Sequence, residues 1–145
     1  MSKEVISKFY QAFQQKDWQT MQACYHEDVV FEDPAFGELK GDDAKKMWKM
    51  LCEQGKDLKL EFSNVTENSA HWDAFYTFSA TKRKVENHID ATFEFKDGLI
   101  VKHVDDFDFH KWSKQALGLI GSLFGGTKLF QRKFRNKVLS ILKKY

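Results

Sequence analysis

Leu99-Ile100-Val101-Lys102-His103-Val104-Asp105-Asp106-Phe107-Asp108-Phe109 is the stretch on which the reading of this chain turns. It has the composition of a strand, and strand side chains point to opposite faces in turn. Val101, His103, Asp105, Phe107 and Phe109 therefore share one side, while Ile100, Lys102, Val104, Asp106 and Asp108 share the other. The first set starts apolar and ends aromatic, with an imidazole and a carboxylate between. If that side is buried, the ionisable pair needs a partner or a task, because an unpaired charge in an apolar interior is costly.

Upstream of this strand the period of two persists. Lys96-Asp97-Gly98 reads as a hairpin turn, preceded by the cleanest alternation in the chain, with Val85, Asn87, Ile89, Ala91, Phe93 and Phe95 on one face. Trp72, Ala74, Tyr76, Phe78 and Ala80 define another strand face, and Leu58, Leu60 and Phe62 a third.

Earlier still the period is helical. Ser2 is placed to cap a helix whose apolar stripe is Val5, Ile6, Phe9, Ala12 and Phe13, ending near Lys16. Asp17 opens a second helix expected to run through Tyr25, and His26-Glu27-Asp28 reads as a turn. Val29 to Glu32 is a brief strand stopped at Asp33-Pro34, since proline lacks the ladder donor. A loop bracketed by Gly37 and Gly41 leads to a third helix with Ala44, Met47, Trp48 and Leu51 inward. Helices first and antiparallel strands afterwards predict an α+β fold.

The 145 residues are 42% hydrophobic and 15% aromatic, which suits one domain with a sizeable core. Fourteen Phe and four Trp against a single Pro point to a core, or a cavity, lined by rings. Cys24 and Cys52 lie in helical segments without disulfide or zinc spacing. No long apolar run follows the opening charges, so neither a leader nor a spanning helix is expected, and the expected location is cytoplasmic.

Residues 127–145 hold seven Lys or Arg and no acid, so the net charge of +2 conceals an acidic body. Gly125-Gly126 is the natural boundary between a domain of residues 1–126 and this basic segment. Phe130, Phe134, Val138, Ile141 and Tyr145 recur near helical spacing there. An amphipathic basic helix of this kind can pack on the body or a dimer partner, lie on an anionic membrane surface, or touch nucleic acid. The acidic body argues against nucleic acid.

Three stretches together resemble the SnoaL-like and ketosteroid isomerase-like branch of the nuclear transport factor two-like superfamily. They are Phe9-Tyr10-Gln11-Ala12-Phe13 with Asp17-Trp18; Val30-Phe31-Glu32-Asp33-Pro34 with Gly41; and Phe93-Glu94-Phe95-Lys96-Asp97-Gly98 through His103-Val104-Asp105. The resemblance covers residues 3–117. It implies a cone-shaped, curved antiparallel sheet wrapped around N-terminal helices, a deep pocket, and a homodimer formed through the outer sheet face.

The resemblance also implies roles. The isomerases' general base is the aspartate of a Glu-Asp-Pro sequence, which falls on Asp33. Their tyrosine donor falls on Phe9, with Tyr10 adjacent, and their protonated aspartate donor on Ala91, with Asp90 on the wrong face. Lacking both oxyanion donors at the matching positions, the chain is not expected to isomerise steroids. Polyketide cyclases and limonene epoxide hydrolases of this superfamily place a working aspartate on the last long strand, where this chain has Asp105.

Asp33, His103 and Asp105 are thus the candidate catalytic residues, since burial and mutual charge move such groups towards neutral pKa values. The same three would serve equally as a structural pair and a turn acceptor. Tyr25, Trp72, Tyr76, Asn87, Phe93 and Phe107 are candidate walls of a pocket for a small hydrophobic molecule. No nucleotide, flavin or metal motif is present, and Asp106, Asp108 and His110 lack ligand spacing. The function expected is cofactor-independent acid–base chemistry as an isomerase, cyclase or hydrolase, or noncatalytic binding of a small ligand.

Overall fold

The alternating run around Ile89 and Phe93 forms the longest strand of a six-stranded sheet in the computed structural model, which describes residues 1–145. The elements are α1 (Ser2–Gln14), α2 (Trp18–Ala23), β1 (Tyr25–Asp33), β2 (Gly37–Lys40), α3 (Asp42–Gln54), β3 (Lys59–Ser63), β4 (Ser69–Phe78), β5 (Arg83–Lys96), β6 (Leu99–Asp106), α4 (Phe109–Leu117), α5 (Leu119–Phe124) and α6 (Lys128–Lys144). The sheet is curved and unclosed, in the order β2-β1-β6-β5-β4-β3. Every pairing is antiparallel except β1 with β6.

Asp97 and Gly98 both take positive φ, 53° and 77°, as the tight turn between β5 and β6 requires. The inner face of the sheet buries Phe31, Trp72, Ile89, Ala91, Phe93 and Ile100 against Ile6, Phe9, Tyr10 and Phe13 of α1 and Met47 and Trp48 of α3. Burying a large apolar side chain is worth roughly 1.5–3 kcal/mol, so this aromatic interior is the main stabilising element. No helix is long and apolar enough to cross a membrane.

Several local expectations are corrected. Helix α1 begins at Ser2 itself, with Met1 at the capping position and no side-chain cap. Tyr25 opens β1 rather than closing α2, and His26 is buried in that strand rather than in a turn. The stretch after Gly37 is a strand, not a loop, because Leu39 can pair with Phe31 and bury its side chain. Strand β6 ends at Asp106, and Asp108 leaves the ladder to cap α4 by accepting from Lys111 N at 3.0 Å.

A bulge also breaks the alternation in β6. Phe95 pairs with Ile100 and Glu94 with Lys102, so Val101 is the extra residue. Ile100, His103 and Asp105 are the buried residues of this strand, and Val101 is only half-buried.

Beyond the sheet, α4 and α5 pack so closely that a Cβ at Gly121 would stand 1.9 Å from the Ser113 carbonyl oxygen. Helix α6 folds back on the body. Phe134 meets Phe109 and Trp112 at ring distances of 5.6 and 5.1 Å. Leu142 is buried, and Val138 and Leu139 pack on the main core.

Candidate acid–base site

Strand β6 presents His103 and Asp105 two residues apart on the inner face, the first fully buried and the second 4% exposed. His103 Nε2 lies 2.8 Å from Asp105 Oδ1 and Nδ1 lies 2.7 Å from the Tyr25 hydroxyl. Trp48 Nε1, which can only donate, points at that hydroxyl from 2.7 Å. The direction of the chain follows. With the imidazole neutral, Tyr25 accepts from Trp48 and donates its own proton to Nδ1, which leaves the His103 proton on Nε2, donated to Asp105. Trp72 Nε1 makes a longer approach to the same oxygen at 3.5 Å, and no protein donor takes Asp105 Oδ2.

Asp33 joins this group through strand register. Phe31 pairs with His103 and Glu32 with Val104 in the parallel ladder, so Asp33 comes alongside Asp105 on the same face. Its Oδ1 accepts from Ala35 N at 2.9 Å and Phe36 N at 2.6 Å, which closes the turn at Pro34. Burial pushes the Asp33 carboxyl up to about 7, helped by the Asp105 charge and opposed by the two backbone donors and by Arg135. Two neighbouring carboxyls with one driven towards neutrality is an arrangement that suits proton transfer.

Tyr10 is the residue that sequence reasoning passed over. It is fully buried, and its hydroxyl has no hydrogen-bond partner. Burial, followed by the Asp105 charge, drives both the Tyr10 and Tyr25 hydroxyls well above the ordinary phenol range. Each therefore stays protonated and able to donate. The only sequence signal for Tyr10 was its place beside Phe9. Phe9 itself is apolar lining, with its ring 5.5 Å from His103 and stacked on Tyr25 at 5.3 Å.

The remaining candidates differ in their settings. Phe93 packs against the imidazole at a ring distance of 4.4 Å. Phe107 lies half-buried between the main core and a smaller cluster around Trp112. Tyr76 accepts from Trp112 Nε1 at 2.7 Å and adjoins Asp33, whose charge helps raise its pKa after burial. Asn87 is half-buried on the inner face, but its side chain makes no hydrogen bond to Asp105 or to any other protein group.

Rings surround the site. Phe31 and Trp48 complete the wall around His103 at 5.1 and 5.8 Å. Two shallow hollows, of about 300 and 200 Å³, are bounded by residues such as Thr92 and Lys102 or Val5 and Phe95, and neither touches Asp33, His103 or Asp105. Helix α6 lies near Asp33, where Gln131 Nε2 and an Arg135 guanidinium nitrogen donate to Pro34 O at 2.9 and 3.1 Å. Arg135 Nε is buried there without a partner.

Of the outward set, Asp106 and Asp108 are exposed, and His110 lies 3.1 Å from the Ser122 carbonyl oxygen, so the three do not converge.

With that geometry in place, the relationships of the chain are informative. Residues 6–103 match the SnoaL-like domain family. The chain belongs to that family. No curated protein sequence matches it. Among solved structures, this SnoaL-like chain is similar to an LEH-like epoxide hydrolase from M. tuberculosis, at 20% identity over 84% of this chain and 94% of that one, with a TM-score of 0.59. IdmH from Streptomyces antibioticus, a candidate polyketide cyclase, is 19% identical over 82% and 99%, with a TM-score of 0.67. Bal32a, from a soil-derived mobile gene cassette, is 17% identical over 79% and 95%, with a TM-score of 0.68. At these identities the likeness is one of fold.

Proposed function

We propose that the inner-face group is an acid–base site that moves a proton on a small apolar molecule bearing a carbonyl or an epoxide. The observation that carries this reading is the buried chain from Trp48 through Tyr25 and His103 to Asp105. It fixes the imidazole proton on Nε2 and aims it at Asp105. Asp105 Oδ2 is then the base, taking a proton from a carbon next to the carbonyl or from a water attacking the epoxide. His103 positions that carboxylate and offsets its charge. The Tyr10 hydroxyl or protonated Asp33 donates to the substrate oxygen as charge develops there, a contribution of roughly 10²–10³ in rate for one such donor. The structural likeness to an epoxide hydrolase and to a candidate cyclase supports this class of chemistry.

A second reading follows from the complete enclosure of His103: the same group is a structural network inside a noncatalytic ligand-binding domain. One comparison separates the two. A panel of small apolar ketones and epoxides is offered to the wild type, Asp105→Asn and Tyr10→Phe. The amide of Asp105→Asn still accepts from His103, so the fold is retained, and turnover should fall at least about 100-fold. Tyr10→Phe should leave stability unchanged or raised, since it deletes an orphaned hydroxyl, while turnover falls about 10-fold or more. Turnover kept by Asp105→Asn would sink the proposal.

A further inference from the structure

A second histidine–carboxylate group stands on the opposite, outer face of the sheet. In the antiparallel ladder of β4 and β5, His71 pairs with Asp90 and Asp73 with His88. His71 Nε2 and His88 Nδ1 both point at Asp73 Oδ1, from 2.8 and 2.5 Å. These three atoms all lie within 4.8 Å of one another. The opposite ring nitrogens are also engaged: His71 Nδ1 lies 2.8 Å from Asp90 Oδ1, and His88 Nε2 lies 3.2 Å from Glu86 Oε2.

All four ring nitrogens therefore face carboxylate oxygens, yet a neutral imidazole carries only one N–H. If the neutral His71 ring donates outward to Asp90, and His88 carries its proton on Nε2, the two inward nitrogens present lone pairs to an oxygen that can only accept. A proton removes that clash, and the Asp90 and Asp73 carboxylates hold the His71 pKa above its ordinary value; a metal ion at the meeting point removes it equally, taking the place of the inward protons. The arrangement has the form of a metal-binding histidine, whose second nitrogen donates to an orienting carboxylate. His71 has such a partner in Asp90, and Glu86 stands 3.2 Å from His88 Nε2 without the alignment of a hydrogen bond.

The geometry points to a divalent transition-ion site of the zinc class, with His71 Nε2, His88 Nδ1 and an Asp73 oxygen as ligands and Asp90 and Glu86 behind them. Two imidazoles and one carboxylate suit zinc, cobalt or nickel and do not suit the all-oxygen shells of calcium or magnesium. Ligand atoms around tetrahedral zinc stand about 3.3 Å apart, as bonds of about 2.0–2.1 Å require, so from separations of 2.8 and 2.5 Å the rings need to move out by about 0.5 and about 0.8 Å. Glu61, paired with Asp73 on β3, and Asp106, paired with Asp90 on β6, add negative field around the site. Lys59 stands one row further on, opposite Phe75. The side chains of His71, Asp73 and His88 are 28%, 26% and 46% exposed, so an ion can enter, and a fourth position remains open to water. Trp72 lies between His71 and Asp73 and points inward at Asp105, so a bound ion clamps the strand pair that carries it.

The test uses the full chain without an affinity tag, stripped with chelator and dialysed. Zinc chloride is titrated by calorimetry and cobalt chloride by visible absorption. One ion per chain should bind with a micromolar or tighter Kd, giving a cobalt band of nitrogen–oxygen type and a Tm raised by several degrees in saturating zinc. His71→Ala and His88→Ala should each weaken binding at least about 100-fold, and Asp90→Asn about 10-fold, while His26→Ala leaves it unchanged. Cys24 and Cys52 are buried and do not compete. No saturable binding by the wild type overturns the proposal, as does undiminished binding by the His71→Ala/His88→Ala double variant.

Discussion

The two faces of one sheet each hold histidine beside aspartate, and their surroundings give them opposite properties. On the inner face His103 is ringed by Phe9, Phe31, Trp48 and Phe93, and every hydrogen bond runs one way from a pure donor, Trp48, to a pure acceptor, Asp105. On the outer face His71 and His88 are partly wet and surrounded by more carboxylate oxygens than two neutral rings can satisfy. A closed chain in a dry interior fixes a protonation pattern; an open one at the surface leaves room for an added cation. Residue type alone does not distinguish the two sites. Burial and the count of donors against acceptors do.

Mutations should reproduce that contrast, and the largest effect belongs inside. His103→Ala leaves Asp105 and Tyr25 without partners and opens a cavity, and chemical denaturation should record a loss of about 3–5 kcal/mol. Tyr25→Phe removes one oxygen but strands both the Trp48 N–H and His103 Nδ1, for about 1–3 kcal/mol. A cost below about 0.5 kcal/mol for either would erase the distinction between the faces.

Asp33 sharpens the comparison through pH. Its pKa is raised from 3.8 to about 7 by folding, so the folded chain holds this proton more tightly than the unfolded one. Its contribution is therefore most favourable below about pH 4 and is lost as pH rises through 7. Asp33→Asn keeps the oxygen that accepts from Ala35 and Phe36. It should gain about 1–2 kcal/mol relative to wild type between pH 5 and pH 8, less than the full linkage value because the side chain is partly exposed. Equal stability differences at the two pH values would contradict this.

The smallest effect is outside. In chelator, His71→Ala should cost only about 0–1 kcal/mol, as exposed ion pairs do. A loss as large as that of His103→Ala would show that the outer group is structural in its own right.

What could be read before folding follows from how local each feature is. Alternation in residues 85–95 and the Asp97-Gly98 turn specify β5 and β6, because pleat and turn geometry are local properties. The pairing of His103 with Asp105 was visible for the same reason. The bulge at Val101 was not, since it depends on register with β5, nor was the strand after Gly37, which forms only because β1 offers a free edge. Ending α2 before Tyr25 required knowing that β6 would accept that residue as a neighbour. The approach of Asp33 to Asp105 and the meeting of His71, Asp73 and His88 both arise from cross-strand register. Trp48 was legible as an inward residue of α3 but not as the donor that orients the whole chain.

The orientation of that chain can be observed by side-chain ¹⁵N NMR of selectively labelled histidine. Tyr25→Phe serves to assign the His103 signals. His103 should carry its proton on Nε2 and a hydrogen-bonded lone pair on Nδ1. A proton found on Nδ1 would contradict that orientation.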